Sequence, residues 1–461
     1  MVVILLRFPT KSWSFDRMHI VLLSTYPPRR CGLATFAADL RAALAASAPR
    51  WRVDVCAIDR DGLAYGPEVT SVLDQDDPDG YRPAARAVAA SGADLVVIQH
   101  EFGIFGGPDG GYLLDFTDEL TALGVPYVVT LHTVLAAPAA GQAGVLASLC
   151  RRAAQVTVFT GTARAVATRS GAVDPDRVSV VPHGVPSELG RAVDPAAVRP
   201  AVAQALAEVA GYRVLSTFGL LRSGKGLETV IAAMPEVVSR HPDVRYLVAG
   251  ATHPEVIRAS GESYRTGLVR LAHDLGVAEQ VRFLDTFLTE PELAALLAGT
   301  EVHLTPYRSP EQTCSGVLTF ALAAGCAVVS TSYRYAVDLV TPPDGPARGA
   351  LVPFDDPAAF ATAVGDLLAD PERLAAARAS ARRLGAGLSW PVVGARFAEV
   401  FAAAAVPVTG PARVRSAGQI RLTRLPARVG DLRAAGAMTA GGEPAWSYRR
   451  PPPDPAELPA A

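Results

Sequence analysis

Two doubly wound α/β domains in tandem are what this sequence predicts, on three observations. Short β-branched runs alternate with alanine- and leucine-rich segments of helical period. The strand runs are apolar without clean alternation, as expected for strands covered by helices on both faces. The alternation fades over residues 186–210 and then restarts. That break divides a chain of 461 residues and 50% apolar content into two cores rather than one very large one.

The elements follow in order. The first half reads as strands at 19–24, 52–58, 94–99, 126–131, 155–159 and 178–182. Helices at 33–47, 82–91, 111–123, 141–153 and 162–170 lie between them. The second half reads as strands at 213–219, 244–249, 281–284, 301–305, 327–331 and 350–353. Its helices are 227–240, 264–275, 290–298, 315–324, 357–368 and 371–384. Helix 227–240 repeats Leu227, Val230, Ile231, Met234, Val237 and Val238 at three- and four-residue intervals, so this face packs on the sheet and Met234 is core. After residue 410 arginine, proline, glycine and alanine dominate. That tail, 410–461, reads as mostly disordered, with one short strand candidate at 419–425. Residues 1–17 fit neither strand nor helix, and the first convincing strand follows Met18 directly, so translation from Met1 or from Met18 suits the pattern.

Composition narrows the function. A net charge of -2 argues against a general nucleic-acid binder, which carries a basic excess or stripe. The five cysteines, at 31, 56, 150, 314 and 326, show no short pair spacing, which points away from a disulfide framework or zinc site and towards a reducing, cytoplasmic setting. No apolar run reaches membrane-spanning length.

The loop Arg222-Ser-Gly-Lys225-Gly226 holds one of the chain's two lysines, between two glycines and between a strand and a helix. With Gly219 it forms a stretch whose glycines permit close ligand approach. The following helix offers free N–H groups and a positive dipole end. Arg222 supplies a bidentate fork and Lys225 a compact charge, a combination suited to a diphosphate. The Walker pattern is incomplete. A second candidate, Pro310-Glu-Gln-Thr-Cys-Ser-Gly316, precedes helix 315–324. There Ser315, Gly316 and Val317 begin a helix able to hold an anion, while Glu311 and Gln312 can accept from sugar hydroxyls. Repulsion from a diphosphate turns Glu311 towards the sugar. In the first half Gly32 ends the loop Arg29-Arg-Cys-Gly32, at the place of a first β–α turn, but Gly-x-Gly-x-x-Gly is absent and a dinucleotide oxidoreductase is disfavoured.

Several of the eight histidines fall at strand ends, where open α/β sheets carry ligand contacts. His100 and Glu101 end strand 94–99, His132 follows 126–131 and His183 follows 178–182. Metal-ligand spacing is lacking, so a substrate loop is the better reading and no metal site is expected. His253, His273 and His303 read as structural or peripheral, with His303 a hydrogen-bonded core histidine.

Taken in order, Thr25–Phe36, Gln99–Gly107, Thr130–Thr133, Val181–Val185, Gly219–Gly226, Pro306–Thr331 and Ser389-Trp390-Pro391 resemble the family 4 glycosyltransferases, retaining nucleotide-sugar enzymes of the GT-B fold. The resemblance covers roughly residues 18–405. It implies two Rossmann-like domains facing each other across a cleft: an acceptor-side domain at 18–205, a donor-binding domain at 206–388, and a helix at 389–405 that crosses back to the first domain. It implies a nucleoside-diphosphate sugar as co-substrate, UDP- or GDP-linked with GDP-mannose preferred, and no cofactor or metal. Arg222 and Lys225 would then neutralise the leaving diphosphate, His132 would lie near the reaction centre, and the loop at Gly32 would approach the phosphates or the sugar. Front-face chemistry in such enzymes lets the departing phosphate take the acceptor proton. The acceptor is a saccharide, a small molecule or a lipid-linked hydroxyl, which allows peripheral attachment to a membrane.

Two departures stand out. The family carries two glutamates eight positions apart, and here Gln312 and Phe320 occupy those places. His183 stands where the family's Pro-Asn-Gly-Val turn has asparagine. An epimerase or glycoside phosphorylase on the same fold, or a binding protein that has lost catalysis, are the alternatives.

Overall fold

The computed structural model of the protein describes residues 17–405. The tail 410–461, its strand candidate and residues 1–16 lie outside the described residues. Two parallel sheets organise the rest. The first contains β1 (His19–Ser24), β2 (Arg52–Asp59), β3 (Val69–Asp74), β4 (Leu95–His100), β5 (Tyr127–Leu131), β6 (Gln155–Val158) and β7 (Val178–Val180), in the order β3-β2-β1-β4-β5-β6-β7. The second contains β8 (Arg213–Phe218), β9 (Val244–Ala249), β10 (Val281–Leu284), β11 (Val302–Thr305), β12 (Ala327–Thr331) and β13 (Gly349–Val352), in the order β10-β9-β8-β11-β12-β13. Both sheets reverse their winding, next to β1 and next to β8. The carboxyl ends of strands at such a reversal form the crevice in which open α/β sheets bind ligands.

The buried strands are where the apolar runs put them. β1 and β4 are buried along their whole length, and helix Leu227–Arg240 covers the second sheet with Val230, Met234 and Val237 in its core. β3 departs from the sequence pattern. It is an edge strand with three of its six side chains exposed and one buried, so it lacks the apolar run that marks its neighbours. The stretch 186–210 also holds a helix that the sequence does not announce, Pro200–Glu208, and two short helices, Pro254–Ser260 and Arg334–Val340, escape the periodicity. Helices of seven to nine residues show too few turns to establish a period.

Helix Trp390–Ala404 returns to the first domain and packs along helix Gly32–Ser47. Its entry is fixed by small residues and one buried indole. Val185 and Leu388–Trp390 exchange backbone hydrogen bonds of 2.8 and 3.0 Å. A Cβ on Gly184 would lie 2.4 Å from the Trp390 ring, and one on Gly394 would lie 2.6 Å from Ala43 Cβ. Trp390 Nε1 donates to Asp39 Oδ2 at 3.0 Å. Burial, then the charge of Glu290, pushes the Asp39 carboxyl up to about 7.

The segment leading into the second domain is anchored by Arg199. Its guanidinium grips the fully buried Glu292 at 2.5 and 2.7 Å and donates to Phe287 O at 2.8 Å. Glu292 also accepts from Thr289 N–H and caps its own helix.

Candidate donor and reaction site

The phosphate-facing loop is built from close glycine contacts. Gly219 (φ 107°) follows β8 and stacks against Gly250 after β9, where a Cβ would lie 2.0 Å from Gly219 O. Gly226 (φ 63°) leads into helix Leu227–Arg240, and a Cβ there would strike Pro306 O at 2.1 Å. Both positions require glycine, and together they draw the ends of β8, β9 and β11 to one point.

Lys225 projects at that point. Its ammonium donates to Tyr307 Oη at 2.6 Å and lies 4.1 Å from the Tyr307 ring centroid. Although the residue is only half-buried, the ammonium is surrounded by protein. Burial, and then the nearby Arg222 charge, brings its pKa down to about 7. A lysine held this way gains strongly from an anion brought beside it. The Arg222 charge also acts on Glu101 of the first domain.

Ser315 caps the opposite wall, accepting from Leu318 N–H at 3.2 Å at the start of helix Gly316–Ala323. Val317 touches Gly219, because a Cβ there would sit 3.3 Å from Val317 Cγ2. A Cβ on Gly316 would sit 3.2 Å from His183 Nε2. The helix start therefore lies between the Lys225 loop and a first-domain histidine.

The three histidines at the first-domain strand ends are neutral. His132 Nε2 donates to Gln99 Oε1 at 2.9 Å, which leaves Nδ1 as an acceptor, and burial lowers its pKa to about 3. His183 bonds Gly184 O through Nδ1 at 2.7 Å, so Nε2 keeps its lone pair towards Gly316, and burial lowers its pKa to about 4. His100 is completely buried between Phe102 and Phe105 with no protein partner for either ring nitrogen, and burial lowers its pKa to about 4. Glu101 accepts from Thr133 Oγ1 at 2.6 Å and from Phe102 N–H at 3.0 Å. Burial raises its pKa, partly offset by those bonds and by Arg222.

The loop before helix Gly316–Ala323 differs from expectation. Both carboxylate oxygens of Glu311 are engaged by protein: it accepts from Ala136 N–H at 2.7 Å, in the other domain, and pairs with Arg334 at 2.7 Å. Burial pushes its carboxyl up, but Arg334 and the amide prevail and hold it low. Gln312 folds onto its own loop and donates to Cys314 O at 2.9 Å. Thr313 accepts from Val134 N–H at 2.9 Å and donates to His132 O at 3.4 Å, so this loop bridges the two domains at His132 and just after it. Gly32 opens its helix, and a Cβ added there would meet nothing within 4 Å, so the space beside this helix start is open.

Phe320, in place of the second glutamate, meets His183 edge to face at 5.8 Å between ring centroids. The two departures from the family pattern are thus in contact. Phe36 and Trp390 complete the cluster at 5.0 and 6.2 Å from the His183 ring.

One group escapes a reading of the sequence. Tyr307, which holds Lys225, follows β11 and has no motif to mark it. His253 is structural: its Nδ1 accepts from Glu255 N–H at 3.2 Å and caps helix Pro254–Ser260, and burial, then Arg222, lowers its pKa to about 4. His303 lies within β11, bonded to Ser216 Oγ at 3.0 Å. Among the described residues no group of three His, Cys, Asp or Glu side chains is arranged to hold a metal ion.

Comparison with known proteins fits this geometry. Residues 31–189 match the model described as Glycosyltransferase Family 4, and residues 212–370 match Glycosyl transferases group 1. D-inositol 3-phosphate glycosyltransferase 1 of Catenulispora acidiphila is 30% identical over 297 residues, covering 61% of this chain and 67% of that protein. The chain belongs to the GT-B glycosyltransferases. D-inositol 3-phosphate glycosyltransferase of Thermobispora bispora is 31% identical over 237 residues, covering 49% of this chain. The match spans about half the length of that relative, 50%. GT-B structures superpose on most of the chain. Sucrose-phosphate synthase from Thermosynechococcus elongatus has a TM-score of 0.67 at 21% identity, covering 84% of this chain and 98% of that one. Anabaena HepE in complex with UDP and glucose has a TM-score of 0.64 at 17% identity, covering 84% and 99%.

Proposed function

We propose that this GT-B protein transfers a hexosyl group from a nucleoside-diphosphate sugar to an acceptor hydroxyl with retention of configuration. The observation that carries the reading is Lys225, a largely enclosed ammonium at the carboxyl edge of the second sheet, facing the start of helix Gly316–Ala323. A diphosphate bridging Lys225, Arg222 and the helix amides completes the charge balance there and stabilises the leaving group. From the first domain, His183 Nε2 lies beside Gly316 at the helix start, and His132 keeps Nδ1 as an acceptor. Neutral His132, with Nδ1 free, suits a contact to a sugar hydroxyl better than to a phosphate.

The names of relatives support a donor among the GDP- and UDP-sugars. A Mycolicibacterium smegmatis relative, 35% identical over 181 residues, is named GDP-mannose-dependent alpha-(1-6)-phosphatidylinositol monomannoside mannosyltransferase, which favours GDP-mannose. HepE was solved with UDP-glucose. Arg222 and Lys225 supply cationic stabilisation without recourse to a metal ion. The contact between Phe320 and His183 favours a second reading, a nucleotide-binding protein with diminished turnover, because an aromatic edge replaces a hydrogen-bond acceptor.

A panel of UDP-, GDP- and ADP-hexoses assayed for hydrolysis and transfer decides between them. Turnover with one donor supports the transferase. Nucleoside-diphosphate binding without turnover of any donor supports the second reading. No binding of any nucleotide at millimolar concentration overturns both.

A further inference from the structure

Beside the Lys225 loop the second domain buries a guanidinium, that of Arg265 in the first turn of helix Ser263–Asp274. Its Nη2 donates to Asp285 Oδ1 at 2.6 Å, to Gly250 O at 2.8 Å and to Thr252 Oγ1 at 3.3 Å. Its Nε donates to Glu262 Oε2 at 3.2 Å, and Thr252 Oγ1 donates to the same oxygen at 2.5 Å. One side chain thus gathers the turn after β9, the residue after β10 and the residue before its own helix. The charge is balanced on the spot. Glu262 and Asp285 both pair with the guanidinium, so the cluster as a whole offers an anion no net attraction.

Two runs of backbone lead from this cluster to the cations of the loop. Gly250 N–H bonds Leu284 O at 2.9 Å while its carbonyl is taken by Arg265, which fixes the residue on both sides. Fixed there, it lies so close to Gly219 that an added Cβ would meet Gly219 O at 2.0 Å. Gly219 donates to Ala249 O at 3.0 Å, and a Cβ on Gly219 would lie 3.9 Å from Lys225 Nζ. The second run starts at Thr252, which forms a parallel bridge with Leu221, the residue before Arg222. Leu221 N–H bonds Ala251 O and His253 N–H bonds Leu221 O, both at 2.9 Å. With no side chain at 250, little besides the guanidinium restrains the turn of that carbonyl.

We propose that Arg265 is a positioning residue for the donor phosphates: it holds Gly250 and Thr252, and through them Gly219 and Leu221, so that Lys225 and Arg222 stand at the spacing a diphosphate requires. The inference rests on the reading that Lys225 and Arg222 take the donor diphosphate.

Two readouts separate this role from plain stabilisation. Lys11 is the chain's other lysine, so isotopic labelling of lysine at Cε lets the Lys225 ammonium be titrated by NMR without any nucleotide. In the wild-type chain burial, then Arg222, puts its midpoint at about 7. His253 and His303, which also feel Lys225, are neutral there. Arg265→Met frees Gly250 and admits water to the ammonium, so the midpoint should rise by about one pH unit or more. The Kd of UDP and of GDP, by titration calorimetry, should rise about tenfold or more. Asp285→Asn removes a half-exposed charge but keeps an acceptor for Arg265, and should leave both Kd values within about twofold. Arg265→Lys keeps a cation between the two acids and so protects the fold. Its ammonium, drawn to the carboxylates, gives up the Gly250 carbonyl. It should move midpoint and affinity in the same direction, and it decides the matter should Arg265→Met unfold. Wild-type midpoint and affinities in the folded variant overturn the proposal, and so does an Asp285→Asn effect as large as that of the Arg265 change. A wild-type chain that binds neither UDP nor GDP, but whose Lys225 midpoint moves with Arg265, defeats the donor reading and leaves the hold of Arg265 on Lys225 established.

Discussion

Lys225 should take up a proton when a nucleoside diphosphate binds. In the ligand-free protein burial and Arg222 hold its pKa at about 7, against an ordinary value of 10.5. A phosphate oxygen at hydrogen-bond distance, about 3 Å, stabilises the ammonium by about 5 kcal/mol at an effective dielectric of about 20, which returns the pKa above 10. The sign follows. Below pH 7 the lysine is already charged and affinity is flat on its account. Above pH 7 each bound ligand must draw a proton from solvent, and affinity falls by up to about tenfold per pH unit, or roughly 50-fold between pH 7 and pH 9. Titration calorimetry of UDP and GDP at pH 6 to 9, in pairs of buffers with different ionisation enthalpies, counts the protons directly. Uptake should approach one at pH 8 to 9 and vanish at pH 6. Lys225→Arg keeps its charge throughout this range and should flatten the pH dependence. A wild-type Kd that stays unchanged from pH 6 to 9, with no proton uptake, refutes placing the diphosphate on Lys225.

Other perturbations test separate parts of the site. If the protein is active, Lys225→Ala should lower transfer by about 10²–10³-fold, measured as initial rate at saturating donor, since it removes a charge at the leaving group. Arg199→Met should leave Glu292 buried and unpaired, costing about 2–3 kcal/mol and lowering Tm by several degrees in a calorimetric scan. Glu292 has its pKa lowered to about 2, chiefly by Arg199, so its contribution is complete above pH 4.5 and is lost as pH falls towards 2; acid titration of stability should be shallower in the variant. Gly184→Ala sets a methyl group against the Trp390 ring and should destabilise by about 1–3 kcal/mol, with a change in Trp390 fluorescence that reports the displaced crossover helix. Phe320→Glu alone sets a carboxylate among His183, Phe36 and Trp390 and should weaken folding, whereas the double change with His183→Asn should recover part of the loss.

The strands and long helices are legible in the sequence because their apolar periodicity is strong, and each has a turn signal at its end. β3 is not, since an exposed edge strand writes polar and apolar residues almost freely. The Lys225 loop is legible because glycines at Gly219 and Gly226 mark backbone that no other residue can follow. Its partner Tyr307 is hidden: a tyrosine after a strand is common, and only the fold brings its hydroxyl to the ammonium. Glu311 is half legible. Its place in the loop marks it as a candidate contact, but the sequence holds no sign that Ala136 N–H and Arg334 claim both of its oxygens. Long-range pairings of this kind, 175 residues apart for Ala136, leave no local trace. The contact between His183 and Phe320 is invisible for the same reason, although each is separately recognisable as unusual.

The segment Glu311–Gly316 joins two duties: its first half clasps the loop beside His132, and its second half begins the helix facing Lys225. A ligand at the helix start is therefore felt at the first-domain loop through a short run of shared backbone. For the proposed transferase the expected kinetic consequence is compulsory order. The nucleotide sugar should bind first, the acceptor second, and the nucleoside diphosphate should leave last. Product inhibition would then be competitive against the donor and mixed against the acceptor, a signature that steady-state rates alone can read.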